Sequence, residues 1–160
     1  MVPSPVPVAE RVPPRARRAG FTLIEVLIVV AILGIVATLA FPAVERSVMV
    51  SKANRAAFVL GNDLQQAYTL AARQRKPVRF VINTAQLRTE TQDRASSAVL
   101  VSRYYGPTNS PFGLTAMTTT AANVVIFPNG IGSSALTVTV SVGQNTRTVT
   151  MSRVGQVRIQ

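Results

Sequence analysis

The strongest pattern of apolar positions lies near the beginning of the chain, where residues 26–44 (VLIVVAILGIVATLAFPAV) contain no charged side chain. As an α-helix, this segment would be about 28 Å long, close to the hydrocarbon thickness of a bilayer. An uncharged helix of this length without a polar face is typical of a membrane span rather than of a soluble protein's core. We therefore predict that this segment anchors the protein in a membrane.

From Val44 to about Arg73 the pattern becomes that of an amphipathic helix, continuous with the anchor. Small and apolar residues alternate in steps of four and three and form one stripe, while charged and amide side chains lie off it. The stripe consists of Ala53, Ala57, Leu60, Leu64, Ala67 and Ala71. We expect the stripe to pack against a sheet of the same chain, and we expect Lys76-Pro77 to end the helix.

Beyond Pro77 the apolar period changes from 3.6 to 2, as in β-strands. Six or seven strands are predicted, mostly antiparallel, over residues 78–82, 87–91, 98–105, 124–127, 136–142, 146–152 and 154–159. The Gly-, Pro- and Thr-rich residues 106–123 are predicted to form a long loop. The predicted fold class is α+β: a long N-terminal helix, transmembrane in its first half, packed against a C-terminal antiparallel β-rich head.

Residues 1–20 differ from both regions, because they carry five prolines and a net charge of +3. The prolines disfavour helix and strand, so this segment is predicted to be disordered. Basic residues ahead of the first hydrophobic segment favour a cytoplasmic N-terminus, which would place the head in the periplasm. A cleaved secretory signal peptide is the alternative. Its apolar stretch is usually shorter and ends at small residues, whereas Phe41-Pro42 and further helix follow here.

The composition narrows the possible chemistry, because the 160 residues include no Cys, His or Trp. These absences exclude a disulfide scaffold, a thiolate zinc site and a histidine base, so we predict no enzymatic activity, no cofactor and no metal site. The net charge is +11, of which residues 52–160 contribute +9, from twelve Lys and Arg against three Asp and Glu. This charge favours polyanions (nucleic acid, acidic polymers or anionic lipid), although scattered arginines could equally keep the head soluble.

The junction between the basic segment and the anchor carries a specific motif, Gly20-Phe21-Thr22-Leu23-Ile24-Glu25-Val26-Leu27-Ile28. It resembles the processing site of type IV prepilins and pseudopilins. The resemblance implies that prepilin peptidase cleaves between Gly20 and Phe21 and that Phe21 is then N-methylated. It also implies an assembly role for Glu25, whose carboxylate is costly to bury in a membrane unless it pairs with the amino terminus of a neighbouring subunit.

Shorter motifs further along are similar to those of the GspH/FimT minor pilins and pseudopilins. They lie at the helix-to-strand junction between Asp63 and Val78, at Phe127-Pro128-Asn129-Gly130, and at Gly155-Gln156-Val157-Arg158-Ile159. DNA-binding members of this group carry a Gly-Arg-x-Arg motif near the C-terminus. In this chain Gln156 stands in place of the first arginine of that motif, and only Arg158 matches.

The predicted domains are a cleaved leader (residues 1–20), a transmembrane and assembly helix (residues 21–50) and a pilin-like head (residues 51–160). The resemblance implies a structural subunit of a type IV pilus or of a type II secretion pseudopilus, anchored in the bacterial inner membrane. Its expected partners are prepilin peptidase, other pilin or pseudopilin subunits, and the membrane, which it would span once. DNA uptake is the alternative function, with non-sequence-specific DNA as the partner and Arg147, Arg153 and Arg158 as the candidate basic strip.

Overall fold

The computed structural model describes residues 20–160, so the predicted disorder of the leader falls almost wholly outside the described residues. The chain divides into two compact units between Ala40 and Phe41. We call them the N-terminal unit, of which residues 20–40 are described, and the C-terminal unit, residues 41–160.

A single 52-residue helix, α1, extends from Leu23 to Gln74. The residue that follows it, Arg75, adopts a left-handed conformation with φ 54°, and its N–H donates to the carbonyl oxygen of Ala72 at 3.4 Å. A left-handed residue directly after the last helical one is a common C-cap, and a proline soon afterwards prevents the helix from continuing. The predicted helix end at Lys76-Pro77 is therefore confirmed.

Within residues 20–160, eight strands follow α1: β1 (Val78–Asn83), β2 (Arg88–Asp93), β3 (Val99–Tyr104), β4 (Ala116–Thr119), β5 (Asn123–Ile126), β6 (Leu136–Val142), β7 (Asn145–Met151) and β8 (Val157–Ile159). They form two four-stranded sheets. The first has the order β3-β2-β1-β5 and the second the order β4-β6-β7-β8. Every neighbouring pair is antiparallel, as predicted.

Strand β4 shows that two predictions, a continuous loop over residues 106–123 and a total of six or seven strands, are wrong. Its four residues pair with β6, from Ala116 opposite Ser141 to Thr119 opposite Val138. Met117 is its buried apolar residue, with 4% of its surface exposed. A strand of four residues with one inward apolar side chain has no alternating pattern, and the sequence therefore does not distinguish it from a loop.

In the C-terminal unit, α1 buries the stripe predicted from the sequence. All six residues of the stripe, and Ala56 beside them, have no exposed surface. They join one hydrophobic cluster with residues of both sheets, among them Phe80 and Ile126 of the first sheet and Leu136 and Met151 of the second. The packing is close at Gly61, where the Cδ1 atom of Ile159 lies 3.3 Å from the position a Cβ would occupy. The predicted fold, one long helix packed on antiparallel sheets, is confirmed.

The two faces of the second sheet differ in chemistry. On the inner face, β6 buries Leu136, Val138, Val140 and Val142, none of them more than 5% exposed. The outer face carries hydroxyl groups, two of which, on Thr139 of β6 and Thr148 of β7, lie 3.3 Å apart. We call this surface the hydroxyl face; it comprises Thr118, Thr137, Thr139, Ser141, Thr146, Thr148 and Thr150. Strict alternation along β6 thus separates an apolar inner side from an uncharged polar outer side.

Candidate processing and assembly site

The motif residues Gly20 and Phe21 lie just outside the helix, because α1 begins at Leu23. Among residues 20–160, no atom lies within 4 Å of the position that a Cβ of Gly20 would occupy. Phe21 is 83% exposed. The peptide bond between the two residues is therefore accessible, and its backbone is not engaged in helical hydrogen bonds.

Thr22 caps the N-terminus of α1. Its side-chain oxygen accepts a hydrogen bond from the N–H of Glu25 at 3.3 Å, and its carbonyl oxygen accepts one from the N–H of Val26 at 3.2 Å. The spacing Thr-x-x-Glu is that of a capping box. Glu25 consequently lies in the first turn of the helix, where the helix dipole favours a negative charge. The sequence motif singled out Glu25 but not the capping role of Thr22.

The side chain of Glu25 is exposed. Among residues 20–160 the ion pairs are Arg88–Glu90 and Arg103–Asp63, so the carboxylate of Glu25 makes none within this part of the chain. The apolar side chains around it are exposed as well: Leu23 by 82%, Ile24 by 61% and Leu27 by 58%. A carboxylate surrounded by exposed apolar surface is free to pair with a group of another molecule.

Within the described residues, α1 is the one helix long and apolar enough to cross a membrane, and its most apolar membrane-length stretch is not buried at all. The large aliphatic residues between Val26 and Val36 are each between 50% and 64% exposed. A core helix of a soluble protein would bury most of these side chains. In the N-terminal unit the apolar surface therefore lies open on all sides of the helix.

The candidate DNA-binding arginines do not form one strip, because the register of the second sheet separates them. Arg147 is two positions from the buried Val149 on β7, so the two side chains share the inner face of the sheet. There the Nε of Arg147 donates to Asn54 of α1. Arg158 pairs with Thr150 of the hydroxyl face and thus lies on the opposite, outer face. Arg153 lies in the turn between β7 and β8, and its carbonyl oxygen accepts a hydrogen bond from Gly132.

A different basic cluster lies at the C-terminal end of α1. The guanidinium carbon of Arg94 lies over the ring of Phe127, 5.7 Å from its centroid, and the backbone N–H of Arg94 donates to the carbonyl oxygen of Pro77. Asp93 is the acid beside this cluster. Hydrogen bonds from the backbone and hydroxyl of Ser96 lower its pKa, and the charge of Lys76 contributes in the same direction. We call Arg73, Arg75, Lys76 and Arg94 the end cluster.

Sequence reasoning missed the polar contact that ties α1 to the first sheet. Asp63 is 6% exposed, and its Oδ2 atom accepts hydrogen bonds at 2.7 Å from both the Nε of Arg103 and the hydroxyl of Tyr105. Burial and the nearby carboxylate raise the pKa of Tyr105, and the hydrogen bond to Asp63 raises that of Arg103. A signal was present, because Ala56, Leu60, Asp63 and Ala67 follow the same steps of four and three as the buried stripe.

Two models of known protein families match the chain. A model of the prokaryotic N-terminal methylation motif matches residues 15–41, which include Gly20, Phe21 and Glu25. The chain therefore carries the N-terminal methylation motif at the beginning of its apolar helix. A model of the type II transport protein GspH matches residues 56–155, more than half of the chain. The chain belongs to the type II transport protein GspH family, which confirms the resemblance to the GspH/FimT group.

Solved structures share the fold. The type IV minor pilin FimU of Pseudomonas aeruginosa matches in one crystal form with a TM-score of 0.57 at 17% identity, covering 69% of this chain and 89% of that chain. A second crystal form gives 0.54 at 18% identity, covering 67% and 91%. The minor pseudopilin EpsH of the Vibrio cholerae type 2 secretion system gives 0.51 at 15% identity, covering 68% and 96%. No curated protein matches the chain.

Proposed function

We propose that this protein is a minor pilin or pseudopilin, a membrane-anchored structural subunit that assembles into a filament through the N-terminal part of α1. The observation that carries the proposal is the exposed apolar helix of the N-terminal unit, which begins at the methylation motif and has no packing partner within residues 20–40. Its Leu, Ile and Val side chains require an apolar environment, which a membrane supplies before assembly and neighbouring helices supply afterwards.

The proposed processing follows from the same motif. Prepilin peptidase would remove residues 1–20 by cleaving between Gly20 and Phe21, and Phe21 would then be N-methylated. Cleavage creates an α-amino group on Phe21. The exposed carboxylate of Glu25 on a neighbouring subunit is the matching anion. A pair of opposite charges is tolerable in an apolar environment where either charge alone is costly, so this contact would set the register between subunits.

The domain limits and orientation belong to the same proposal: a leader over residues 1–20, an assembly helix over residues 21–50 and a head over residues 51–160. The basic leader would remain in the cytoplasm, and the head would lie in the periplasm. The role is structural rather than enzymatic, and the partners are prepilin peptidase and other subunits of the filament. Within the described residues, no three His, Cys, Asp or Glu side chains cluster as metal ligands would.

Processing is tested by co-expressing the chain with a prepilin peptidase and determining the intact mass and N-terminal sequence of the product. We expect a mature chain of 140 residues that begins at methylated Phe21. Gly20→Val should block the cleavage, because a branched side chain would occupy the space that the peptidase needs. Gly34→Val, a matched substitution inside the anchor, should be cleaved normally. A mature chain beginning after residue 40 would identify a secreted protein instead.

DNA binding is the second candidate function, and the end cluster is the observation that favours it. Lys76 and Arg94 line one groove, and Arg73 and Arg75 are within three residues of Lys76 along the chain. Arg147 and Arg158, by contrast, lie on opposite faces of the second sheet. Contacts to phosphates require positive charges on one surface and no base readout. If about four phosphates are contacted, the logarithmic salt dependence of binding to duplex DNA should have a slope of about −3.6.

The test is a titration of labelled duplex DNA with the full chain in detergent at several salt concentrations. Replacing Arg73, Lys76 and Arg94 by Gln should weaken binding and flatten the salt dependence more than replacing Arg147, Arg153 and Arg158 by Gln. If the chain does not bind DNA even at low salt, the structural role is the one remaining candidate.

A further inference from the structure

A groove lies beside the part of α1 that follows the uncharged apolar run. It has a volume of about 250 Å³ and is lined by Ser47, Val48, Ser51, Lys52, Arg55 and Pro111. One wall is the helix and the other is the loop between β3 and β4. The lining contributes two hydroxyl groups and two cationic side chains and contains no carboxylate. Glu45, the acidic residue nearest in sequence, lines a separate groove with Pro42 and Gly143.

The two cations of the groove are available for an external anion. Neither Lys52 nor Arg55 is part of the ion pairs found among residues 20–160, and both are exposed. The stem of Lys52 lies against Gly113, with its Cδ atom 3.6 Å from the position where a Cβ would be. Gly113 has φ 63°, a conformation that favours glycine, and it lies in the same loop as Pro111 of the groove. Lys52 therefore extends along the groove toward the loop.

An exposed apolar stripe leads directly to the groove. Phe41, Val44 and Val48 follow one another in steps of three and four on one face of α1, and they are 73%, 62% and 46% exposed. Val48 belongs to both the stripe and the groove. Apolar surface that ends at hydroxyls and cations matches a molecule with hydrocarbon chains attached to an anionic head.

The spacing along the helix fits the headgroup layer of a bilayer. The uncharged run ends at Val44, and the groove begins three residues later, about 4.5 Å further along the axis. The polar layer on each side of a bilayer is about 5–7 Å thick. Lys52 and Arg55 lie beyond it by position. Binding of a phosphate would therefore draw the Lys52 ammonium from its place beside Gly113 toward the headgroup layer, while the stems of both side chains stay on the protein surface.

We propose that this groove binds the phosphate of an anionic phospholipid in the leaflet from which the C-terminal unit emerges. The proposal rests on the proposed function, since it requires the anchor to span a membrane. The lipid phosphate accepts hydrogen bonds from Ser47, Ser51, Lys52 and Arg55, while its acyl chains lie along Phe41, Val44 and Val48. Binding holds the base of the C-terminal unit at the membrane surface before the subunit enters a filament.

The chain contains no cysteine, so Pro111→Cys introduces a single position for an environment-sensitive fluorescent label at the wall of the groove. The labelled full chain is reconstituted into phosphatidylcholine vesicles with and without phosphatidylglycerol, and quenching of the label by neutral acrylamide is measured. We expect phosphatidylglycerol to protect the label. The variant Lys52→Gln/Arg55→Gln should lose this protection. The matched variant Arg73→Gln/Lys76→Gln removes two positive charges from the end cluster instead, and it should keep the protection of the label.

The other outcomes separate the possible errors. If inorganic phosphate protects the label equally in phosphatidylcholine vesicles, the groove is a general anion site and the lipid assignment is wrong. Equal loss of protection in both variants would show that total charge, not the groove, attracts the lipid. Flotation of the unlabelled chain with phosphatidylcholine vesicles measures membrane insertion of the anchor, independently of the groove. A chain that inserts but shows no effect of phosphatidylglycerol contradicts the groove alone, and a chain that does not insert contradicts the proposed function.

Discussion

The N-terminal and C-terminal units use the same helix in opposite ways. Between Leu23 and Val36 the helix carries large aliphatic side chains that are at least half exposed. Between Ala53 and Ala71 its inner face is mostly alanine and is completely buried. Small side chains let two sheets approach the helix, whereas large side chains suit a helix whose packing partners are lipids or other helices. Within residues 20–160, one region of α1 therefore packs against the sheets, whereas the other leaves its apolar side chains exposed, as the proposed membrane and filament environments require.

The substitution Glu25→Ala should have the largest effect on the N-terminal unit, and it should affect assembly only. Insertion and cleavage should persist, because the anchor becomes more apolar. The amino terminus of a neighbouring subunit would be left unpaired in an apolar environment, and incorporation into sheared filaments should fall by about a hundredfold. Glu45→Ala, which removes another exposed carboxylate of α1, should be incorporated normally. Wild-type levels of the Glu25→Ala variant in the filament fraction would remove the assembly role.

In the C-terminal unit the largest effect is expected for Asp63→Ala. This change removes the acceptor of two 2.7 Å hydrogen bonds, so the buried hydroxyl of Tyr105 loses the carboxylate to which it donates. The free energy of unfolding should fall by about 3 kcal/mol, measured by denaturant titration of the full chain in detergent. The neighbouring exposed residue gives the control, since Asn62→Ala should change stability by less than about 0.5 kcal/mol. Equal effects of the two changes would contradict a stabilising role for Asp63.

A smaller effect is expected for Gly155→Ala. Gly155 has φ 78°, and the Cε1 atom of Tyr68 lies 3.0 Å from the position a Cβ would take. The variant combines backbone strain with a displaced ring and should lose about 2 kcal/mol. Gly130→Ala isolates the strain, because Gly130 has φ 79° and no atom of residues 20–160 lies within 4 Å of that position. It should lose about 1 kcal/mol. Similar losses in both variants would show that the contact with Tyr68 contributes nothing.

The smallest expected effect is the pH dependence of unfolding. Burial and Asp63 raise the pKa of Tyr105, and burial raises that of Tyr68. A raised folded-state pKa stabilises the protonated phenol, so this contribution is complete below the unfolded pKa of about 10 and is lost as the pH rises above it. The slope should be at most about 1.4 kcal/mol per pH unit for each tyrosine.

Tyr105→Phe should reduce that slope in alkaline denaturation, because the variant has no phenol to titrate at this position. Tyr104→Phe, at a ring that is 41% exposed, is the matched control and should retain the slope. An unchanged slope for Tyr105→Phe would contradict the assignment.

The sequence predicted those elements whose pattern repeats over several turns or residues. The buried stripe of α1 and the alternating strand β6 were both found, because each has a clear period. Strand β4 was missed, since one inward methionine in four residues makes no period. The pairing of Asp63 with Arg103 joins residues 40 positions apart, and only the fold brings them together.

The candidate basic residues show a different limit. Whether Arg147 and Arg158 share a face depends on the register across the turn between β7 and β8, which composition does not determine. Part of the answer was present in the chain, since Arg147 is two positions from Val149 and four from Met151, both on the inner face. The motif around Gly20, by contrast, could be recognised without knowledge of any strand register, because all of its residues lie within one continuous segment.

The hydroxyl face has a consequence for the way in which identical subunits can approach one another. Residues 52–160 carry a charge of +9, so two copies repel each other over most orientations. The seven side chains of the hydroxyl face are uncharged, and Arg158 lies beside Thr150 at the edge of the sheet. Two subunits that meet through this face would bring few like charges together. The outer side of the second sheet is thus a low-repulsion direction of approach on a strongly basic surface.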